Sequence, residues 1–322
     1  MSAADAKPFI SIYRLRSRGR LNAVSTRREF TGALLRVDGG YGCIHPWPEL
    51  GDPPLDKCLA DLAGARRWPI VRRALRCADF DRIARRFEHS LFEEIEVPES
   101  HATLTGCDVA EIERAVEAGF RLAKLKCGIN PAAEARFLDE MTAAHPALAW
   151  RLDFNESLDP AAAAAFLTGL AERTRAAIDM VEDPCPYSDT TWAALRRETR
   201  MRLAVDREAA PHRAAAQVMV IKPAVDEPLL LAEAALAHHQ RLVVTSYMDH
   251  PLGQTFAAWE AARLGLQFPG MMAACGVQTH HLFEPDAFTG LLGPWSPVFN
   301  PPPGHGLGFD DLLEELPWSP LM

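Results

Sequence analysis

Near the N-terminus, apolar and polar positions alternate in two short runs. Phe9 to Leu15 and Phe30 to Val37 carry β-branched and aromatic residues with partial period-two spacing, and each predicts a strand. Between them, Arg16 to Arg28 is polar, basic and glycine-containing, which predicts a mobile loop. Asp38-Gly39-Gly40 marks a turn, and Tyr41 to His45 predicts a third strand. From Pro54 to Phe87 the spacing lengthens to three and four, as in Leu55, Leu59, Leu62 and in Ile70, Ala74, Leu75. That spacing gathers apolar side chains on one helical face. A small α+β domain over residues 1–96 accounts for this region.

From Pro98 onward, short apolar strands alternate with helices. The strands are Phe120 to Lys126, Leu148 to Asp153, Ile178 to Glu182, Leu203 to Asp206, Gln217 to Lys222 and Leu242 to Thr245. An Ala/Glu-rich helix follows the first, Pro160 to Arg175 follows the second, and a helix around Trp192 to Thr199 follows the third. Repeated strand–helix units imply parallel strands with right-handed crossovers, in an open sheet or a closed barrel. No G-x-G-x-x-G follows the first of these strands, so a dinucleotide-binding sheet lacks its main support. The catalytic (β/α) region is placed at 97–292, and the Pro/Gly-rich stretch Gly293 to Gly308 leads to a short acidic helix, Phe309 to Leu316. Trp295, Phe299 and Trp318 make residues 293–322 too apolar for a free tail, so this segment is expected to pack back on the cap.

Composition narrows the function classes. The 322 residues are 48% hydrophobic and 24% charged, as in a folded protein with a large core. A net charge of −9 disfavours a general nucleic-acid binder. Seven cysteines, Cys43, Cys58, Cys77, Cys107, Cys127, Cys185 and Cys275, include no C-x-x-C pair and predict reduced thiols. Met1 to Arg20 meets charged residues before any apolar run long enough for a signal peptide, and no window approaches a membrane span. A cytoplasmic protein is expected, with its oligomeric state left open.

The chemistry lies at the strand ends. Lys126, Asp153, Glu182, Asp206 and Lys222 each close an apolar strand, with separations of 27, 29, 24 and 16 residues that each suit one strand–helix–strand repeat. In a barrel, such positions converge on one mouth. Three carboxylates there would repel one another unless a cation is present, and hard oxygen ligands suit Mg²⁺ or Mn²⁺ rather than zinc. Lys124 and Lys126 form a K-x-K whose side chains share a face, and each ammonium is expected to lower the pKa of the other, readying a base. A metal-stabilised enediolate, formed when a carbon acid beside a carboxylate loses its proton, fits this set.

Lys124-Leu-Lys126, Arg151-Leu-Asp153-Phe-Asn155, Val181-Glu182-Asp-Pro184, Val205-Asp206-Arg-Glu208 and Ile221-Lys222-Pro223 resemble the strand-end motifs of the muconate-lactonising branch of the enolase superfamily. Within that branch the chain most resembles the o-succinylbenzoate synthases of menaquinone biosynthesis. Gly40-Tyr-Gly-Cys-Ile-His-Pro-Trp-Pro is similar to their cap segment, Thr245-Ser246-Tyr247 stands at a serine-rich strand end, and Gly304-His-Gly-Leu-Gly-Phe-Asp310 is similar to their closing motif. Cys43 stands where the family often has Glu, and Met248-Asp249-His250-Pro251 replaces a Ser-x-Glu-Ser type sequence.

The resemblance implies a modified (β/α) TIM-type barrel with an N-terminal cap. It implies a small-molecule carboxylate substrate, dehydrated to o-succinylbenzoate. Lys126 would be the base, Lys222 a cation on the opposite side and Lys124 a further site lysine, with Asp153, Glu182 and Asp206 holding Mg²⁺ or Mn²⁺. Thr245, Ser246, Arg16, Arg18 and Arg20 are candidate substrate contacts. Arg151 and Asn155 are expected behind the carboxylates. N-acylamino-acid racemase, dipeptide epimerase or cycloisomerase activity on the same residues is the alternative. A Schiff-base aldolase using Lys222 leaves the carboxylates unexplained. His280-His281 has no partner at ligand spacing and reads as packing.

Overall fold

The computed structural model describes residues 7–21, 25–207 and 209–321. The predicted Arg16 to Arg28 loop therefore falls partly outside the described residues, at 22–24. The first sheet is antiparallel. β1 (Phe9–Arg16), β2 (Glu29–Val37) and β3 (Gly40–Ile44) form a meander with helices α1 (Leu55–Ala63) and α2 (Pro69–Arg86) beside it. Its inward side chains, among them Phe30, Leu35, Ile44 and Trp47, join Leu62, Ile70 and Val71 of the helices in one core.

The larger unit is a ring of parallel strands. In order these are β4 (Ala102–Thr103), β5 (Leu122–Lys126), β6 (Ala149–Asp153), β7 (Ile178–Glu182), β8 (Leu203–Val205), β9 (Val218–Ile221) and β10 (Arg241–Val244), each beside the next. Residues 271–276 close it: Ala273 N and Gly276 N donate to Leu242 O and Val244 O, while His101 N donates to Cys275 O and Cys275 N to Glu99 O. Of the two topologies open from the sequence, the closed barrel is the one formed. Alternation explains its two cores. Leu125, Leu152, Val181, Val205, Ile221 and Val244 face the outer helices, while Met180, Ala204, Val218, Val220, Val243 and Ala273 form a small separate cluster. At about 1.5–3 kcal/mol per fully buried aliphatic side chain, these layers are a main source of the barrel's stability.

The outer helices are α3 (Val109–Glu117), α4 (Pro131–Ala144), α5 (Pro160–Gly169), α6 (Glu172–Ala177), α7 (Asp189–Thr199), α8 (Pro228–Ala237) and α9 (Pro251–Gln267). Asp108, Asn130, Asp159 and Ser188 cap four of them by accepting backbone N–H groups. The helix expected from Pro160 to Arg175 is two helices, broken after Gly169. The interval between Asp206 and Lys222 holds no helix among the described residues, against the expected repeat, because so few residues cannot both cross the barrel and wind a helix. Past the ring, α10 (Ala287–Leu291) and α11 (Asp310–Glu314) lead to β11 (Ser319–Pro320), which pairs with β1. Among the described residues no helix is long and apolar enough to cross a membrane, and all seven cysteines are free thiols.

Candidate active site

Register alone aligns the first ionisable groups. Lys126 lies opposite Asp153, and Asp153 opposite Glu182, across β5, β6 and β7. Asp206 and Lys222 immediately follow β8 and β9. Lys124 Nζ donates to Glu182 Oε1 at 2.5 Å and lies 3.0 Å from Asp153 Oδ2. Lys126 Nζ donates to that same Asp153 oxygen, and Lys222 Nζ pairs with Asp206 Oδ2 at 2.5 Å. Asn155 turns back on Asp153, donating to Oδ1 from its backbone N at 3.1 Å and from Nδ2 at 2.6 Å. Its φ of 49° lies in the left-handed region that asparagine tolerates well.

Lys124 overturns the expectation of mutually depressed lysines. Burial pulls its pKa down, but the Asp153, Glu182 and Asp206 carboxylates outweigh burial and hold it above the ordinary lysine range. Burial likewise opposes Asp206 and Glu182 at Lys222, and the carboxylates win there too. The expectation weighed one cation against the other, whereas each ammonium rests on a carboxylate. Asp153 is held low, because Lys124 and Lys126 overcome its burial. Glu182 is pushed up to about 7 by burial and by the charges of Asp153 and Asp206.

The oxygen donors suit a hard divalent cation. Glu182, Asp183 and Asp206 each offer an oxygen within 4.8 Å of the others, and buried Glu182 Oε2 and Asp206 Oδ1 have no hydrogen-bond partner among the described residues. Asp183 is an addition to the sequence reading. Simple alternation turns it away from Glu182, but a φ of 42° re-aims it, and its oxygens accept Asp206 N at 3.2 Å and Arg207 N at 2.7 Å. Arg151 was expected behind the site carboxylates. It instead donates to Asp179 Oδ2 at 2.8 Å, beside His101.

A cavity of about 50 Å³ opens over this group, its wall including Lys124, Lys126, Asp206, Lys222, Asn155, Thr245 and Ser246. Leu50 reaches it from the cap, where Trp47 Nε1 donates to Tyr247 O at 2.9 Å and Tyr247 Oη to Asp52 Oδ2 at 2.9 Å. Ser246 Oγ bonds Thr279 Oγ1 at 2.6 Å. Lys126 also lines a second cavity of about 230 Å³ with Arg20, Thr105, Gly106, Cys107 and Asn130. Of the three arginines expected to touch substrate only Arg20 lines either cavity; Arg16 pairs with Glu284 at 3.6 Å and Arg18 is exposed. His101 and Thr103 on the central wall were missed from the sequence, although His-Ala-Thr at period two beside an apolar strand carries that signal. His281 packs on Trp295 with ring centroids 4.0 Å apart, as a packing residue does.

Residues 8–84 match the family described as O-succinylbenzoate synthase, N-terminal domain, and residues 108–311 match Enolase C-terminal domain-like. The chain is 31% identical to the o-succinylbenzoate synthase of Bdellovibrio bacteriovorus over 97% of each chain. In fold it is similar to the L-Ala-D/L-Glu epimerase of Bacillus subtilis, with a TM-score of 0.78 at 18% identity over 94% of this chain and 98% of that one. It is also similar to the muconate lactonizing enzyme of Pseudomonas putida, with a TM-score of 0.75 at 17% identity over 97% and 99%.

Proposed function

Since the chain belongs to the enolase superfamily and carries its o-succinylbenzoate synthase N-terminal domain, we propose that it is a metal-dependent o-succinylbenzoate synthase, dehydrating 2-succinyl-6-hydroxy-2,4-cyclohexadiene-1-carboxylate. The observation that carries this reading is the opposition of two lysines. In a ring of seven strands plus the closing segment, β5 and β9 stand four places apart, so Lys126 and Lys222 face one cavity from opposite walls. The likeness to the Bdellovibrio bacteriovorus enzyme over nearly the whole chain supports the choice of reaction.

Glu182 and Asp206, with their partnerless oxygens, would hold Mg²⁺ or Mn²⁺ together with Asp153. Asp153 is chosen because it stands opposite Glu182 across β6 and β7, although its oxygens now hold Lys124, Lys126 and Asn155. Asp183, which takes the backbone N–H groups of Asp206 and Arg207, shapes the strand end beside them. The metal would supply positive charge for the substrate carboxylate as its neighbouring carbon turns carbanionic. Lys126, once neutral, takes the proton from the carbon beside the ring carboxylate. Lys222 stays charged and stabilises the anion from the other wall. Departure of the hydroxyl as water, protonated by Lys126, leaves the aromatic ring. Leu50 and the Trp47–Tyr247 contact keep bulk water from the mouth.

The larger cavity beside Lys126 gives room for the succinyl arm, with Arg20 at its edge. The same opposed lysines also favour a second reading, racemisation or epimerisation of an acylated amino acid, with one lysine serving each enantiomer. Incubation with the cyclohexadiene substrate and Mg²⁺ should yield the aromatic product, and EDTA should abolish it. Absence of that product, with racemisation of N-acylamino acids or dipeptides in its place, would sink the first reading and establish the second.

A further inference from the structure

His101 is buried in the barrel wall just ahead of β4 and lines the central cavity. Its Nδ1 lies 2.9 Å from an Arg151 guanidinium nitrogen. A guanidinium only donates, so Nδ1 must accept, and the single ring proton sits on Nε2. Arg151 cannot swing away easily: it also donates to Asp179 Oδ2 at 2.8 Å and to Ala274 O at 2.7 Å. Burial, Arg151, Lys124 and Lys126 keep the imidazole neutral, its pKa well below the usual histidine range.

The far edge of the ring has been left clear. A Cβ on Gly276 would come within 2.7 Å of both Nε2 and Cε1 of His101. Gly276 is not among the glycines at positive φ, so backbone conformation does not explain it and space for the imidazole does. Among the described residues Nε2 meets no hydrogen-bond acceptor. Nε2 of the core residue His45 is buried with no partner among the described residues, whereas Nε2 of His101 is not among the buried partnerless atoms and its residue lines the cavity.

We propose that His101 is a substrate-binding residue whose fixed Nε2–H donates to the acyl carbonyl oxygen of the substrate arm. The choice of oxygen follows from the ring order. The cation that the acidic cluster would hold draws the ring carboxylate toward β6, β7 and β8, while His101 stands at β4, next to the Lys126 wall. The second cavity lies on that side, between the residues that follow β4 and those that follow β5. His101 thereby selects carboxylic acids bearing a carbonyl on the neighbouring chain over those with a plain alkyl chain.

The inference rests on the synthase reading, and two ligands separate their failures. Binding of o-succinylbenzoate and of 4-(2-carboxyphenyl)butanoate, which lacks only the ketone, is measured on the Mg²⁺-loaded protein. The native chain should prefer the keto ligand. His101→Leu should weaken the keto ligand by about tenfold or more and leave the other within about twofold. His101→Gln, whose amide can donate from near the Nε2 position, should recover most of the preference. Imidazole ¹⁵N spectra of the ligand-free protein should show the Nε2–H tautomer, and Arg151→Met should mix the two. If the native chain binds neither ligand, the synthase reading fails and takes this assignment with it. If it binds both and His101→Leu weakens them equally, or the ring carries its proton on Nδ1, His101 is structural and the assignment alone is overturned.

Discussion

Lys126 and Lys222 carry the same group in different company. Lys126 shares one Asp153 oxygen with Lys124, whereas Lys222 is the one lysine paired with Asp206 among the described residues. A dehydration needs one lysine to move protons and the other only to stay charged. Lys126→Ala should therefore abolish both turnover and exchange of the substrate α-proton with deuterated solvent, followed by proton NMR. Lys222→Arg should retain more activity than Lys222→Ala, because it keeps the cation. Loss of exchange in Lys222→Ala with retention in Lys126→Ala would reverse the assignment. Away from the site, Asp249 is buried with Oδ1 unpartnered, and burial pushes its pKa up from 3.8 to about 7. Between those values the folded chain holds a proton that the unfolded chain has released, so stability falls as pH rises and levels off above 7. Asp249→Asn should lose less stability than the native chain between pH 4 and 8, by up to about 4 kcal/mol, in urea titrations at each pH. Equal losses would mean that Asp249 ionises normally. The five strand-end residues were legible because an apolar run that stops at a charge marks a strand end. Asp183 was not, since it depends on a left-handed backbone turn; the period-two placing of His101 could be read, but its fixed tautomer could not, since that depends on an arginine from a different strand.

Among the elements, β3 lies nearly in backbone contact with α2. A Cβ on Gly42 would come within 2.2 Å of Ala74 O, and one on Gly40 within 2.0 Å of Ala78 O. The Gly-Tyr-Gly of the cap segment is thus a packing requirement: only a strand without side chains at these positions can settle on the helix. Gly42→Ala must push strand and helix apart, at a cost of about 1–3 kcal/mol or more. Its urea midpoint should drop accordingly, while activity per folded molecule changes little; an unchanged midpoint would mean that β3 can shift freely. The strands and most helices followed from periodicity because most strand positions are buried and each strand carries a short apolar stretch. The closing segment at 271–276 escaped because its hydrogen bonds come from isolated bridges, with no flanking run to mark it. The missing helix after Asp206 is the converse, a repeat expected from spacing that the chain is too short to complete.

At the scale of the molecule, the cap is tied down by a carboxylate beneath it. Asp81 of α2 is fully buried and accepts Tyr41 N at 2.9 Å, Leu307 N at 2.7 Å and Arg85 Nε at 2.6 Å. Arg85 carries the tie onward to Asp310 Oδ1 at 2.6 Å and Gly308 O at 2.7 Å. One side chain thus joins the cap sheet, the cap helix and the segment after the barrel, which explains why the glycine-rich ending is an ordered part of the fold. Asp81→Ala leaves two buried N–H groups without their acceptor and strips Arg85 of one of its three, a defect that costs about 3–5 kcal/mol. Because none of those partners lies in the barrel strands, the damage should stay local. Hydrogen exchange read by mass spectrometry should speed up in peptides covering 38–44 and 304–312 and stay unchanged in those covering 122–126 and 149–153. The KM should rise more than kcat falls, since Leu50 and Trp47 reach the mouth from this same cap. Faster exchange spread evenly through the barrel would show instead that cap and barrel open as one cooperative unit, and the carboxylate tie would then be only one bond among many.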